Sequence, residues 1–250
     1  ILTGMADDRI ETRLYVPTSL AVPTLGLEAD RAHYLRHVLR LEKGARVAVF
    51  NARDGEHAAR IEGFGKGWCT LAIEEKRRNP VPEPDLWLVF APIKRARIDL
   101  IAEKATELGV AVLQPVLTQH TAVERVNVER LQAHAIEAAE QTERLTVPQV
   151  RAPLDLMKLL GAWPQGRRLL MCDETGGGQP IAEALTALDG TARAEPWAVL
   201  TGPEGGFSAD ELGHLGRIKD VTSVGLGPRI LRAETACLAG LALLQASGCG

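Results

Sequence analysis

Cysteine is sparse in this chain. Its four residues, Cys69, Cys172, Cys237 and Cys249, lie far apart and form no CxxC pair. That excludes the usual zinc spacings and gives no disulfide framework, so the expected setting is a reducing, cytoplasmic one with no metal. Aromatic residues make up 4% of the chain, which limits any base-stacking platform and implies an aliphatic core. No uninterrupted apolar run reaches the length of a membrane span. Several catalytic signatures are also missing: there is no GxxxxGK[ST] phosphate loop, no HExxH and no G-x-S-x-G elbow.

Charge is nearly balanced, at −3 over 250 residues, but unevenly spread. Residues 1–80 hold 13 Lys and Arg against 11 Asp and Glu, and the rest of the chain is acidic. Arg31, Arg36, Arg40, Lys43 and Arg46 form one basic cluster, and Lys76, Arg77 and Arg78 another. Local patches govern phosphate binding more than the total does, although a solvated basic face accounts for the same pattern.

The alternating prolines of Asn79-Pro80-Val81-Pro82-Glu83-Pro84-Asp85 mark a linker, because proline lacks a backbone donor and restricts its neighbours. Two domains are expected, 1–80 and 81–250. The first reads as β: strands at Arg46–Phe50, His57–Glu62 and Trp68–Glu74, with turns at Asp54-Gly55 and Gly63–Gly67, preceded by a helix at Glu28–Leu39. A small β-barrel fits this pattern. The second domain alternates strands and helices, which implies a mostly parallel sheet covered by helices. Strands are expected at Leu86–Ala91, Val110–Leu117, Arg168–Cys172, Trp197–Thr201 and Val221–Gly225. The expected helices follow Lys94 and end at Gly109, begin at a cap on Asn127, begin at a Ser208/Glu211 capping box, and span Ala233–Ala246.

Ligands of an open parallel sheet bind beyond the carboxyl ends of its strands. Three loops fall there: Asp173–Gln179, Gly202–Phe207 and Leu226–Arg232. Glycine in such loops lets a ligand approach the backbone, though surface turns are often glycine-rich as well. The first βα turn, Ala91-Pro92-Ile93-Lys94, has no glycine fingerprint, which counts against a nicotinamide-dependent oxidoreductase and a Rossmann-type methyltransferase.

Six segments, in order, carry a resemblance: Arg13-Leu14-Tyr15-Val16; His33 with Val38-Leu39-Arg40; Glu103-Lys104-Ala105-Thr106-Glu107-Leu108-Gly109-Val110; Glu140-Gln141 with Arg144 and Val147-Pro148; Gly202-Pro203-Glu204-Gly205-Gly206-Phe207-Ser208; and Leu226-Gly227-Pro228-Arg229-Ile230-Leu231-Arg232-Ala233-Glu234-Thr235-Ala236. The chain resembles the RsmE-type family of the SPOUT class, small-subunit (16S) ribosomal RNA uridine-N3 methyltransferases. The resemblance implies a PUA-like N-terminal RNA-binding barrel and an α/β domain with a mostly parallel sheet and a deep C-terminal trefoil knot. It also implies S-adenosyl-L-methionine as cofactor, an obligate homodimer, and 16S RNA of the small subunit as partner. Leu200, Thr201, Gly202, Glu204 and Gly205 would form one wall of the cofactor pocket. Leu226, Gly227, Ile230, Leu231 and Ala236 would form the other, with core packing the competing reading for Ile230 and Leu231. Arg232 would stabilise charge on the base, or else hold a phosphate or pair with Glu234, and Glu234 or water would take the proton. Arg13, Arg36, Arg40, Lys94, Gln141 and Arg144 are candidate RNA contacts; His33 either packs or contacts RNA, with packing the expectation. A non-catalytic ribosome-assembly factor on the same fold, and a methyltransferase of another nucleoside position, remain open alternatives.

Overall fold

The computed structural model describes residues 9–123 and 125–249, without the side chains of Arg95 and Ala96. It divides into two compact units, residues 1–82 with 139–147, and residues 83–138 with 148–250.

The first unit holds β1 (Ile10–Tyr15), β2 (Thr24–Leu27), α1 (Ala29–His33), β3 (Arg46–Asn51), β4 (Gly55–Gly65) and β5 (Trp68–Arg78). The expected helix is present over 29–38, its second half widened into a π-helical turn, Tyr34–Val38. One sheet runs β1-β3-β4-β5-β2, antiparallel except where β1 pairs parallel with β3. Gly55 and Gly67 adopt positive φ at the two hairpin turns, as glycine there allows. Every residue of β3 is buried, on both faces of the strand. Val47 and Val49 face a core of Leu14, Leu35, Ile61 and Leu71. Phe50 packs instead with Ala139 and Leu145, so the late segment 139–147 supplies the cover for the outer face.

That segment is the end of α3 (Val128–Gln141) and the residues after it. Arg13 fastens it. Its Nη1 donates to the carbonyls of Ala139 and Glu140 at 3.0 Å, and its Nη2 to the Arg144 carbonyl at 2.8 Å. The final carbonyls of a helix lack intrahelical partners, and a cation satisfies them. Its Nε pairs with Glu56, a carboxylate 3% exposed that also receives Arg77 and Arg78.

The second unit holds β6 (Leu86–Phe90), α2 (Arg95–Glu107), β7 (Val112–Leu117), most of α3, β8 (Gln149–Val150), β9 (Leu154–Asp155) and α4 (Leu156–Gly161). Then come β10 (Arg168–Cys172), β11 (Gln179–Pro180), α5 (Ile181–Thr186), α6 (Gly190–Arg193), β12 (Trp197–Thr201), α7 (Ala209–Leu215), β13 (Val221–Gly225) and α8 (Ala233–Ala246). The sheet order is β11-β13-β10-β12-β6-β7-β8, with β9 beside β7, and every pairing is parallel. The central strands are buried on both faces, as helix-covered parallel strands must be. Trp87, Val89, Ala198 and Leu200 pack with Leu156, Leu159 and Leu215 of α4 and α7 on one face. On the other, α8 lies so close that a Cβ on Gly240 would stand 3.0 Å from Val199 and 3.1 Å from the Cys172 sulfur. Asn127 accepts from the Arg130 N–H at 2.9 Å at the start of α3, and Ser208 and Glu211 form the capping box of α7.

Candidate functional site

With all strands parallel, the loops after β10, β12 and β13 emerge at one edge of the sheet. They enclose a cavity of about 830 Å³, within the usual range for ligand pockets. Its lining runs from Cys172 to Gly176, Thr201 to Glu204 and Gly225 to Ala233, with Ala236 and, from α2, Arg97. Thr201, Gly202, Glu204, Leu226, Gly227, Ile230, Leu231 and Ala236 therefore meet around one space, and so does Arg232. Leu200 does not; it is fully buried beneath the floor. Nor is Gly205 among the lining residues: it packs toward His120, whose Nδ1 lies 3.0 Å from the Gly206 carbonyl.

Close packing fixes the walls. A Cβ on Gly178 would come within 2.6 Å of the Val224 backbone, and one on Gly202 within 3.0 Å of the Phe207 ring. Gly227 has φ +112 with open space where a side chain would be, so its backbone faces the cavity bare. The buried carboxylate of Glu211 accepts from Ser208 N at 2.7 Å and from Gln119 N at 2.9 Å, tying the loop after β12 to the loop after β7. Thr201 and Cys237 side chains meet at 2.9 Å below the floor.

The charges are mixed. Asp173, Glu174 and Glu204 line the cavity with Arg97, Arg229 and Arg232. Burial works to raise the Asp173 pKa, but hydrogen bonds from Thr175 and Ser223 outweigh it and hold the carboxyl below its usual range. Burial pushes the thiols the other way, Cys172 well above its ordinary value and Cys237 up to about 12, so neither is a nucleophile at neutral pH.

Five readings from the sequence, two of them competing alternatives, meet a different arrangement in the structure. Glu234 is not among the described residues lining the cavity: Oε1 lies 3.4 Å from Arg97 Nε, and Oε2 is buried without a partner. Its carboxylate is thus turned toward Arg97 of α2. Arg232 makes no pair with Glu234; it is exposed and has no side-chain hydrogen bond or ion pair among the described residues. Arg13 is an internal clamp, 11% exposed, rather than a phosphate contact. His33 is exposed and lies against His37, ring centroids 4.8 Å apart, instead of packing in a core. Ile230, 84% exposed, is not core either.

The other candidate RNA residues stay at the surface. Arg36 is exposed, 5.7 Å over the Phe64 ring, and Arg40 is exposed with φ +56. Lys94 is exposed just before α2, and Gln141 exposed at the end of α3. Arg144 is half-buried and donates to Thr146 at 2.7 Å. Arg97 was not singled out in the sequence, and Asp173 entered only as the first residue of the loop Asp173–Gln179.

Fold and site define an RNA methyltransferase with a PUA domain: residues 80–245 match the family described as "RNA methyltransferase domain", and residues 27–74 match "RNA methyltransferase PUA domain". The chain belongs to the ribosomal RNA small subunit methyltransferase E family. The Rickettsia conorii protein of that name is 32% identical over 238 residues, 94% of this chain and 96% of the relative. The Synechocystis protein is 32% identical over 232 residues, 92% of this chain and 75% of the relative. A crystal structure of the Neisseria gonorrhoeae protein bound to S-adenosyl methionine superposes with a TM-score of 0.82 at 28% identity, covering 94% and 97% of the two chains.

Proposed function

We propose that this protein transfers a methyl group from S-adenosyl-L-methionine to N3 of a specific uridine in 16S RNA of the small ribosomal subunit. The observation that carries the reading is one cavity walled by Thr201–Glu204, Gly225–Ala233 and Ala236, in a chain similar along nearly its whole length to ribosomal RNA methyltransferases. The cavity fits the cofactor. Open backbone at Gly227 suits an adenine edge, Leu226, Ile230, Leu231 and Ala236 offer apolar contact, and ionised Asp173 suits a cationic centre. Leu200 and Gly205 serve from behind, the first as floor and the second as the point where His120 braces the loop. Glu204 contributes its backbone to the wall.

When bound, the cofactor supplies a methyl group already activated on a sulfonium, so positioning carries much of the catalysis. Uracil N3 must lose its proton, which places negative charge on O2 and O4. Arg232 is exposed, without a partner among the described residues and on the cavity wall, so it is free to donate to that charge. Water takes the proton. Arg36, Arg40, Lys94, Gln141 and Arg144 contribute to holding the RNA, in part through phosphate contacts.

We assign residues 1–80 to RNA binding and 81–250 to catalysis, with the C-terminal stretch knotted. Insertion of β13 between β11 and β10, and the packing of α8 against β10, β12 and β6, support a threaded tail. A cytoplasmic homodimer is the expected working form. Its support is α8, apolar on nearly every side yet with Leu243 exposed, beside α2 with Leu100 exposed. No described helix is long and apolar enough to cross a membrane, and no described cluster of side chains could hold a metal.

The decisive experiment supplies labelled cofactor with unmodified small subunits or naked 16S RNA and maps the labelled base. Label on a uracil N3 is expected. Label on a ribose hydroxyl would move the reaction to another position, and cofactor binding without transfer to either substrate would favour an assembly factor.

A further inference from the structure

Arg97 occupies an unusual place among the cavity's cations. Arg229 and Arg232 are exposed on the loop after β13. Arg97 comes from α2 and reaches two other elements at once: its Nε lies 3.4 Å from Glu234 of α8, and its Nη1 donates to Glu204 of the loop after β12 at 3.3 Å. Among the described residues Nη1 is the only one of its nitrogens with a hydrogen bond.

The two carboxylates differ in kind. Glu234 is 13% exposed, with Oε2 buried and unpartnered. A buried carboxylate deprived of its counter-charge is strongly destabilising, so this pair is anchored. Glu204 is 59% exposed and lies on the cavity side. Exposed ion pairs contribute little and exchange readily. A guanidinium held from behind at Nε, with Nη1 only lightly covered by a solvated carboxylate, is preorganised for a second oxyanion, which the Nη1/Nη2 fork can bind through two donors once Glu204 gives way.

We propose that Arg97 is the oxyanion seat of this cavity, with Glu234 as its positioning residue and Glu204 keeping the place that a ligand carboxylate or phosphate takes. The inference rests on the methyl-transfer reading only in naming the two sources of that oxyanion, the cofactor's carboxylate and an RNA phosphate.

The test is binding, without turnover. Cofactor affinity is measured by calorimetry, and affinity for unmodified small subunits across a salt series, for wild type, Arg97→Ala, Glu204→Gln and Glu234→Gln. Arg97→Ala should weaken one of the two ligands by roughly tenfold, the loss of a charge-assisted hydrogen bond. Glu204→Gln should tighten the same ligand by roughly twofold to fivefold, because it removes a weak competitor. Glu234→Gln should weaken that ligand by a smaller factor than Arg97→Ala. If the cofactor is the source, its decarboxylated analogue will bind wild type and Arg97→Ala alike. If RNA is the source, the salt slope of subunit binding will fall by about one. The assignment is overturned if Arg97→Ala leaves both affinities within about twofold of wild type, or if Glu204→Gln weakens binding as much as Arg97→Ala does. Glu204 is exposed, so that variant cannot fail merely by misfolding. A Glu234→Gln protein that melts earlier with both affinities intact would also count against the assignment. Wild-type protein that binds no cofactor would instead refute the methyl-transfer reading, and the RNA arm alone would then decide Arg97.

Discussion

Replacing Arg232 with alanine tests the chemistry most directly. The residue is the N-cap of α8, with φ −68 and ψ 153, and its carbonyl accepts from Ala236 N at 2.9 Å. Alanine retains both features. The side chain is exposed and has no partner among the described residues, so stability should stay within about 0.5 kcal/mol of wild type, as for other surface changes away from special features. In the transition state the guanidinium is asked to stabilise charge on a uracil oxygen. Loss of one such donor costs about 10²–10³ in kcat, or about 2.7–4 kcal/mol. Because Arg232 is open to water, which can replace part of the missing donor, the lower end applies, about 100-fold. Arg232→Lys keeps the charge without the fork and should fall between. The assay is single-turnover transfer of labelled methyl groups to unmodified small subunits at saturating cofactor, with thermal melting as control. An effect on KM alone, growing with salt, would make Arg232 a phosphate contact. Turnover within about threefold of wild type at saturating substrate would refute charge stabilisation altogether.

Other expectations concern the scaffold. Burial opposes ionisation of Glu56, but hydrogen bonds from Arg78 and Arg13 win and hold its carboxyl below the usual range. A depressed folded-state pKa contributes stability that is present above the unfolded carboxylate value, about 4.3, and lost as pH falls through the folded value. Glu56→Gln should therefore destabilise the first unit at neutral pH and flatten its acid-side loss. Breaking a buried pair costs about 3–5 kcal/mol, and the lower end fits because Arg77 and Arg78 are partly exposed. Hydrogen exchange of β3 and β4 amides across pH would read this, and unchanged protection would contradict it. Glu211→Ala strips the acceptor from the Ser208 and Gln119 N–H groups and should cost about 1–3 kcal/mol, with a raised KM for cofactor; an unchanged KM would show that the loop after β12 needs no brace. All four cysteines are free and buried, so native protein incubated with an alkylating reagent at neutral pH should keep its activity, whereas rapid inactivation would expose a working thiol.

The local grammar of the second unit was open to reading. Apolar runs mark β6, β10 and β12, because strands covered on both faces need no alternation. The capping residues Ser208, Glu211 and Asn127 announce their helices, because unsatisfied N–H groups at a helix start select those side chains. Short elements such as β2, α5 and α6 were invisible; so few residues draw their stability from neighbours rather than from their own propensity. The linker prolines also hid the return of 139–147 to the first unit, which follows from Arg13 and the bare outer face of Phe50.

The site divides in the same way. Sequence by itself determined that glycine loops follow three parallel strands, since composition and strand order along the chain are local properties, and family resemblance gave those loops a purpose. Only the tertiary structure decided which side chains face the cavity. It brought Arg97 in from α2, 107 residues before Glu204, turned Glu234 away behind it, and freed Arg232 from the pairing that their closeness in sequence suggested. Proximity along a helix or loop fixes neither the direction of a side chain nor its partner; those depend on which distant element occupies the space opposite, and that is settled when the sheet is assembled.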